Sequence, residues 1–130
     1  MRFLIIDDSP SRYDEFTRML DREKIGWVIT CDPDFICKIH PDNYDAILLD
    51  HDMPNWDGRK WALWITRVET MDKKPVIITS TTGLEGVREE MLATLQSAGF
   101  PSIINPADHI GCETEWLSWM KGCLAGMENP

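Results

Sequence analysis

Short unbroken apolar runs alternate along this chain with longer stretches whose apolar residues recur every three or four positions. A short run suits a strand covered on both faces, and the helical spacing suits an amphipathic helix. Arg2 to Ile6 predicts the first strand, which ends abruptly at Asp7 and Asp8. Ser9 then offers an N-cap with Pro10 at the first helical position, and Tyr13, Phe16, Met19 and Leu20 follow at helical spacing. Trp27 to Thr30 predicts a second strand, Pro33 to Ile39 a short helix, and Tyr44 to Leu49 a buried third strand. Beyond the loop from Asp50 to Gly58, the stretch Arg59 to Thr70 places Trp61, Trp64, Ile65 and Val68 on one helical face. Pro75 to Thr79 predicts the fourth strand. Gly83 precedes a long amphipathic helix with Val87, Met91, Leu92, Leu95 and Ala98, closed by Gly99 as a left-handed C-cap. Ser102 to Ile104 predicts a fifth strand, and Thr114 caps a last helix carrying Trp116, Leu117, Met120, Cys123 and Leu124.

Strands that alternate with helices pair in parallel through right-handed crossovers, which puts helices on both faces of the sheet. The expected fold class is α/β, a flavodoxin-like doubly wound five-stranded parallel sheet with helices on both faces. The expected domain is single, residues 1–127, with 128–130 a disordered tail. At 130 residues one core needs no disulfide or metal to be stable, and no Pro/Gly/Ser-rich stretch divides the chain. The apolar run Phe3 to Ile6 is too short for a signal sequence or a membrane span, so a cytoplasmic location without membrane contact is expected. Cys31, Cys37, Cys112 and Cys123 lack the paired short spacing of a zinc site and read as thiols. A net charge of -9 opposes sequence-independent nucleic-acid binding, although a small nucleotide held through a metal is compatible with it.

In open parallel sheets, ligands bind beyond the carboxyl ends of the strands, near the switch in strand order. The unusual residues fall there: Asp7 and Asp8 after the first strand, Asp50 to Asp52 after the third, Thr79 to Thr82 after the fourth, Asn105 and Pro106 after the fifth. Aspartates converging on one crevice repel unless they are protonated or bridged by a cation. Mg2+ is the simplest answer, since it favours oxygen ligands, takes one or two carboxylates, and keeps waters it can exchange for phosphate oxygens. In that reading Asp8 and Asp50 ligate directly, Asp7 acts through water, and Asp52 contributes its backbone carbonyl or its carboxylate. The same aspartates are also competent turn formers and helix caps, and beside Gly58 the turn or cap role is the one expected of Asp57.

Ile5-Ile-Asp-Asp-Ser9, Leu48-Leu-Asp-His-Asp-Met-Pro-Asn-Trp-Asp-Gly58 and Pro75-Val-Ile-Ile-Thr-Ser80 resemble, in order and spacing, the receiver domains of two-component response regulators. The likeness covers nearly the whole chain. It implies that Asp50 is the phosphoacceptor, Asp7 and Asp8 the metal-binding pair, Ser80 the hydroxyl that turns to the phosphoryl group, and Thr81 the small residue beside it. It also implies a stand-alone signalling module whose partner is a kinase, a phosphotransfer protein or a target protein. Receivers place a lysine before the proline after the fifth strand, where this chain has Asn105, which offers a hydrogen bond but no charge. The aromatic switch residue usual in that strand is replaced by Ser102 or Ile103.

Asp50-His-Asp52, Ser80, Gly86 and the helix from Met91 to Gly99 also partly resemble a receiver-like group proposed to process cyclic phosphates. That likeness implies a metal-dependent phosphoesterase, with a metal-bound water or Asp50 as nucleophile and His51 as proton carrier. The histidine and asparagine expected of that group at Thr79 and Thr82 are missing. A third expectation is a degenerate receiver fold that binds protein without phosphorylation. His51 reads either as a general acid or base beside the cation or as a loop histidine that only hydrogen-bonds. His40 and His109 carry no assigned role. Trp56, in the loop after Asp50, is expected to cover the metal site or face a partner, while Trp61, Trp64 and Trp116 belong to core stripes.

Overall fold

The computed structural model describes residues 2–8, 14, 17–18, 20–36, 44–54, 56–67, 73–79, 85–104, 118, 121–122 and 125. Its sheet contains strands β1 (Arg2–Ile6), β2 (Gly26–Thr30), β3 (Ala46–Leu49), β4 (Val76–Ile78) and β5 (Ser102–Ile104). All neighbouring pairs are parallel and the spatial order is β2-β1-β3-β4-β5. This is the doubly wound, flavodoxin-like layout expected from the alternating runs. The helices are α1 (Pro33–Ile36), α2 (Gly58–Arg67) and α3 (Val87–Ser97). Between β1 and β2 the described residues 14, 17–18 and 20–22 are helical, and so are 118, 121–122 and 125 near the chain end. Residues 37–39, 68–70, 83, 114–117 and 128–130, on which further expectations fell, lie outside the described residues.

Strand alternation sorts the core into two layers. Leu4, Ile6, Ile47, Leu49, Val76 and Ile78 face Trp61, Ala62 and Ile65 of α2 and Val87, Met91 and Leu95 of α3. Phe3, Ile5, Ala46, Leu48 and Ile77 form the opposite layer with Leu20 and Ile25. Because both faces are covered, β3, β4 and β1 beyond its exposed Arg2 are apolar at every position, which is why they appear in the sequence as unbroken runs. The edge strand β2 is only partly covered, from Trp27 to Thr30.

The third strand starts two residues later than its apolar run suggests. The N–H of Asp45 donates to the Arg2 carbonyl at 2.7 Å, and the Arg2 N–H donates to the Asp45 carboxylate at 2.7 Å, so this residue pins the start of β1. Asp57 is the N-cap of α2, its carboxylate accepting from the Lys60 N–H at 3.0 Å. Gly99, at φ 87°, closes α3 as expected: its N–H reaches the Gln96 carbonyl and that of Phe100 the Leu95 carbonyl, both at 3.0 Å. Phe100 then packs in the same core layer as Leu95, which completes a Schellman closure.

Gly58 sets the distance between the loop after β3 and both helices. A Cβ there would lie 2.5 Å from the Asp50 carbonyl oxygen, 2.6 Å from Met91 Cε and 2.7 Å from His51 Cα. The methionine methyl can shift, but the two backbone atoms cannot without moving the strand end. Gly58→Ala should therefore lower the unfolding free energy by about 1–3 kcal/mol, the usual cost of overpacking, measured as a lower urea midpoint with unchanged m-value.

Candidate metal centre

The strand registers place Thr30, Ile6, Leu49, Ile78 and Ile104 level with one another across the sheet. Backbone pairing then continues one residue further. The Asp50 N–H donates to the Ile6 carbonyl at 2.9 Å, that of Thr79 to Leu49 at 2.9 Å, and that of Asp7 to Thr30 at 3.3 Å. Each of these residues is thus fixed by the sheet while its side chain stands at the rim, and Asp7, Asp50 and Thr79 are all buried. β1 and β3 lie side by side where strand order reverses, so the crevice falls at the switch point.

Oxygen atoms of Asp7, Asp8 and Asp50 lie within 4.8 Å of one another. Two full charges at 4.8 Å repel by roughly 3 kcal/mol at an effective dielectric of about 20. Three carboxylates, two of them buried, are a hard-oxygen set that suits a small divalent cation and offers nothing to soft metals. Cys31, one residue beyond Thr30, sits in the same field. Burial pushes its thiol pKa up, and the negative charges of Asp8, Asp32 and Asp7 push it further.

Asp52 does not join this cluster through its side chain. Its carboxylate is 62% exposed and accepts from His51 Nδ1 at 2.9 Å, which leaves the backbone carbonyl as the alternative route to a cation. His51 is 4% exposed. Its Nε2 lies 3.9 Å from Asp57 Oδ2 and has no hydrogen-bond partner among the described residues. Partial burial works against the charged form of Asp57, but the Lys60 N–H, the Arg59 guanidinium and His51 outweigh it and hold its carboxyl below the usual range.

Trp56 packs against the core beside Trp61, ring centroids 4.8 Å apart, and carries Lys60 Nζ 4.8 Å over its face. With Asp57 as N-cap, Trp56 and Trp61 stand at the N′ and N4 positions of a hydrophobic staple, which was the sequence signal for the ring contact. The packing of Met91 on Gly58 had no such signal. Ser80, Thr81 and Asn105, expected to contact phosphate, and the loop residues Thr82 and His109 lie outside the described residues.

The family model of the response regulator receiver domain matches residues 3–100. A search of curated proteins returned no match. Among solved structures, the chain is similar to a CheY-like response regulator receiver domain protein from Methanospirillum hungatei, with a TM-score of 0.72 and 19% identity, over 98% of this chain and 95% of that one. It is similar to the response regulator TrrA from Thermotoga maritima, in complex with Mg2+ and BeF, with a TM-score of 0.65 and 18% identity over 94% and 97% of the two chains. The receiver domain of a sensor histidine kinase from Pseudomonas aeruginosa, with a magnesium ion coordinated in its active site cleft, matches with a TM-score of 0.62 and 23% identity over 90% and 97%. No helix among the described residues is long and apolar enough to cross a membrane.

Crowded carboxylates without a cation make a sharp expectation. In chelator, Asp8→Asn should raise the unfolding free energy by on the order of 1 kcal/mol, because it removes one of the repelling charges, and the gain should shrink in high salt. Denaturant titration at two ionic strengths measures both.

Proposed function

Because the chain belongs to the response regulator receiver domain family, we propose that it is a signalling module in which Mg2+ is held among Asp7, Asp8 and Asp50, and Asp50 accepts a phosphoryl group. The observation that carries this reading is the convergence of the three carboxylates within 4.8 Å, at strand ends held level by backbone pairing. The magnesium-bearing receivers from Thermotoga and Pseudomonas are similar over nine-tenths or more of this chain, which supports the same ion here.

In this reading Asp8 and Asp50 ligate directly, Asp7 acts through water, and Asp52 lends its backbone carbonyl while His51 engages its carboxylate. Mg2+, when bound, supplies positive charge that offsets the charge on the phosphoryl oxygens. An Asp50 carboxylate oxygen attacks phosphorus, and the new O–P bond forms as the donor's bond to phosphorus breaks and the leaving group departs with its electron pair. Ser80 donates a hydrogen bond to the transferred group, and Thr81 fills the small position beside it. Asn105 offers a neutral hydrogen bond where a lysine would offer a charge, which makes the phosphorylated state less stable than it is with lysine. The partner that donates or reads the phosphoryl group is a kinase, a phosphotransfer protein or a target protein.

Trp56, in the loop that leaves Asp50, meets Trp61 in a tilted ring contact, and the pair gives the test its signal. Adding Mg2+ and then beryllofluoride should change tryptophan emission saturably in the unsubstituted protein and not in Asp50→Asn. A flat response to both ligands sinks the reading. Asn105→Lys should bind beryllofluoride about tenfold more tightly, the scale of one charge-assisted contact in a partly desolvated site. Equal affinity would mean that residue 105 does not contact the phosphoryl group.

A further inference from the structure

Three contacts meet on His51. Its Nδ1 is 2.9 Å from the Asp52 carboxylate, its carbonyl accepts from the Gly58 N–H at 3.0 Å, and its Nε2 faces the Asp57 carboxylate at 3.9 Å. An ionised carboxylate only accepts, so Nδ1 carries the hydrogen in the bond to Asp52. The His51 side chain is only 5% exposed, whereas the Asp52 side chain it holds is 62% exposed. An exposed aspartate on a loop would sample several rotamers, and this one is tied to a side chain that packing has already immobilised. The other end of the loop is fixed too, since Asp57 caps α2 through the Lys60 N–H and Gly58 packs against the backbone of Asp50 and His51.

From this geometry we infer that His51 is a positioning residue for the cation pocket: by holding Asp52 it fixes the backbone that presents Asp50 and the Asp52 carbonyl. The inference rests on the proposed Mg2+ site and adds to it the residue that preorganises the loop. Groups that orient ligands from behind usually change metal affinity by one to two orders of magnitude when removed, although they never touch the ion. What the contact requires is a donor at the Nδ1 position. Asparagine places its amide N–H there, whereas glutamine places one near Nε2 and alanine supplies neither.

Calorimetric Mg2+ titration of the full chain, paired with tryptophan emission, tests the inference. His51→Ala should weaken Mg2+ binding about 10- to 100-fold, while His51→Asn should recover most of the loss and His51→Gln little of it. The double variant His51→Ala/Asp52→Ala should bind no more weakly than Asp52→Ala, because the histidine acts through that side chain. Wild-type affinity in His51→Ala overturns the inference, as do losses that multiply in the double variant or a His51→Asn variant as weak as His51→Ala. If His51→Ala does not fold, the exposed Asp52→Ala decides together with His51→Asn: undiminished affinity in the former, or a full loss in the latter, overturns it. Absence of any Mg2+ response in the unsubstituted protein removes the site itself. Binding in the unsubstituted protein that is indifferent to residue 51 removes only the role of the histidine.

Discussion

Parallel pairing without offset between β1, β3 and β4 is the constraint on which the pocket depends. It brings Ile6, Leu49 and Ile78 level, and the three N–H bonds of the next row then hold Asp7, Asp50 and Thr79 at one height above the sheet. A slip of one residue in either strand would turn each aspartate to the other face and move it about 3.3 Å along the strand. The register is in turn fixed by burial, because such a slip would exchange the two core layers and push Phe3 or Trp61 out of its complementary surface. The energy that positions the carboxylates is therefore hydrophobic energy spent in the sheet below them.

The loop that leaves Asp50 is restrained at both of its ends and at His51. Its first residues are bound to the sheet, its last residue has no room for a side chain, and His51 ties the middle to one exposed carboxylate. Asp57 links it to the N-terminus of α2, where a negative charge is favoured by the helix dipole as well as by the Lys60 N–H. Arg59 adds weak exposed contacts, 3.4 Å to Asp57 and 3.7 Å to Glu90 of α3. A pocket that concentrates like charge needs such bracing, since the carboxylates would otherwise relax apart.

Much of this was legible in the sequence because burial on both faces keeps the inner strands apolar from one end of the buried stretch to the other. The runs at Arg2 to Ile6 and Ser102 to Ile104 predicted their strands residue for residue, Gly99 announced the end of α3, and Asp57 beside Gly58 announced the start of α2. The meeting of Asp7, Asp8 and Asp50 was also legible, because the alternation of strands and helices fixes which ends share a rim. The contact of Met91 with Gly58 was not, since it joins residues more than thirty positions apart through packing that no local pattern encodes. Nor was the engagement of Asp52 by His51: adjacent residues in an extended loop have no preferred side-chain geometry, and only the burial of the ring selects one. The contact of Trp56 with Trp61 follows from the cap: with Asp57 as N-cap the two rings stand at N′ and N4, the positions of a hydrophobic staple.

Helix α3 is held unequally at its two ends. The tail is locked by the Schellman closure, by Phe100 in the core, and by the Gln96 amide reaching the Ser102 carbonyl at 3.4 Å. The head begins at Gly86, exposed, at φ 78°, with no side-chain cap and nothing within 4 Å of where a Cβ would sit. The head is held by side-chain packing alone, with Val87 and Met91 buried in the same core layer as Trp61, so the turns nearest the pocket owe their place to the core and those furthest from it to backbone closure.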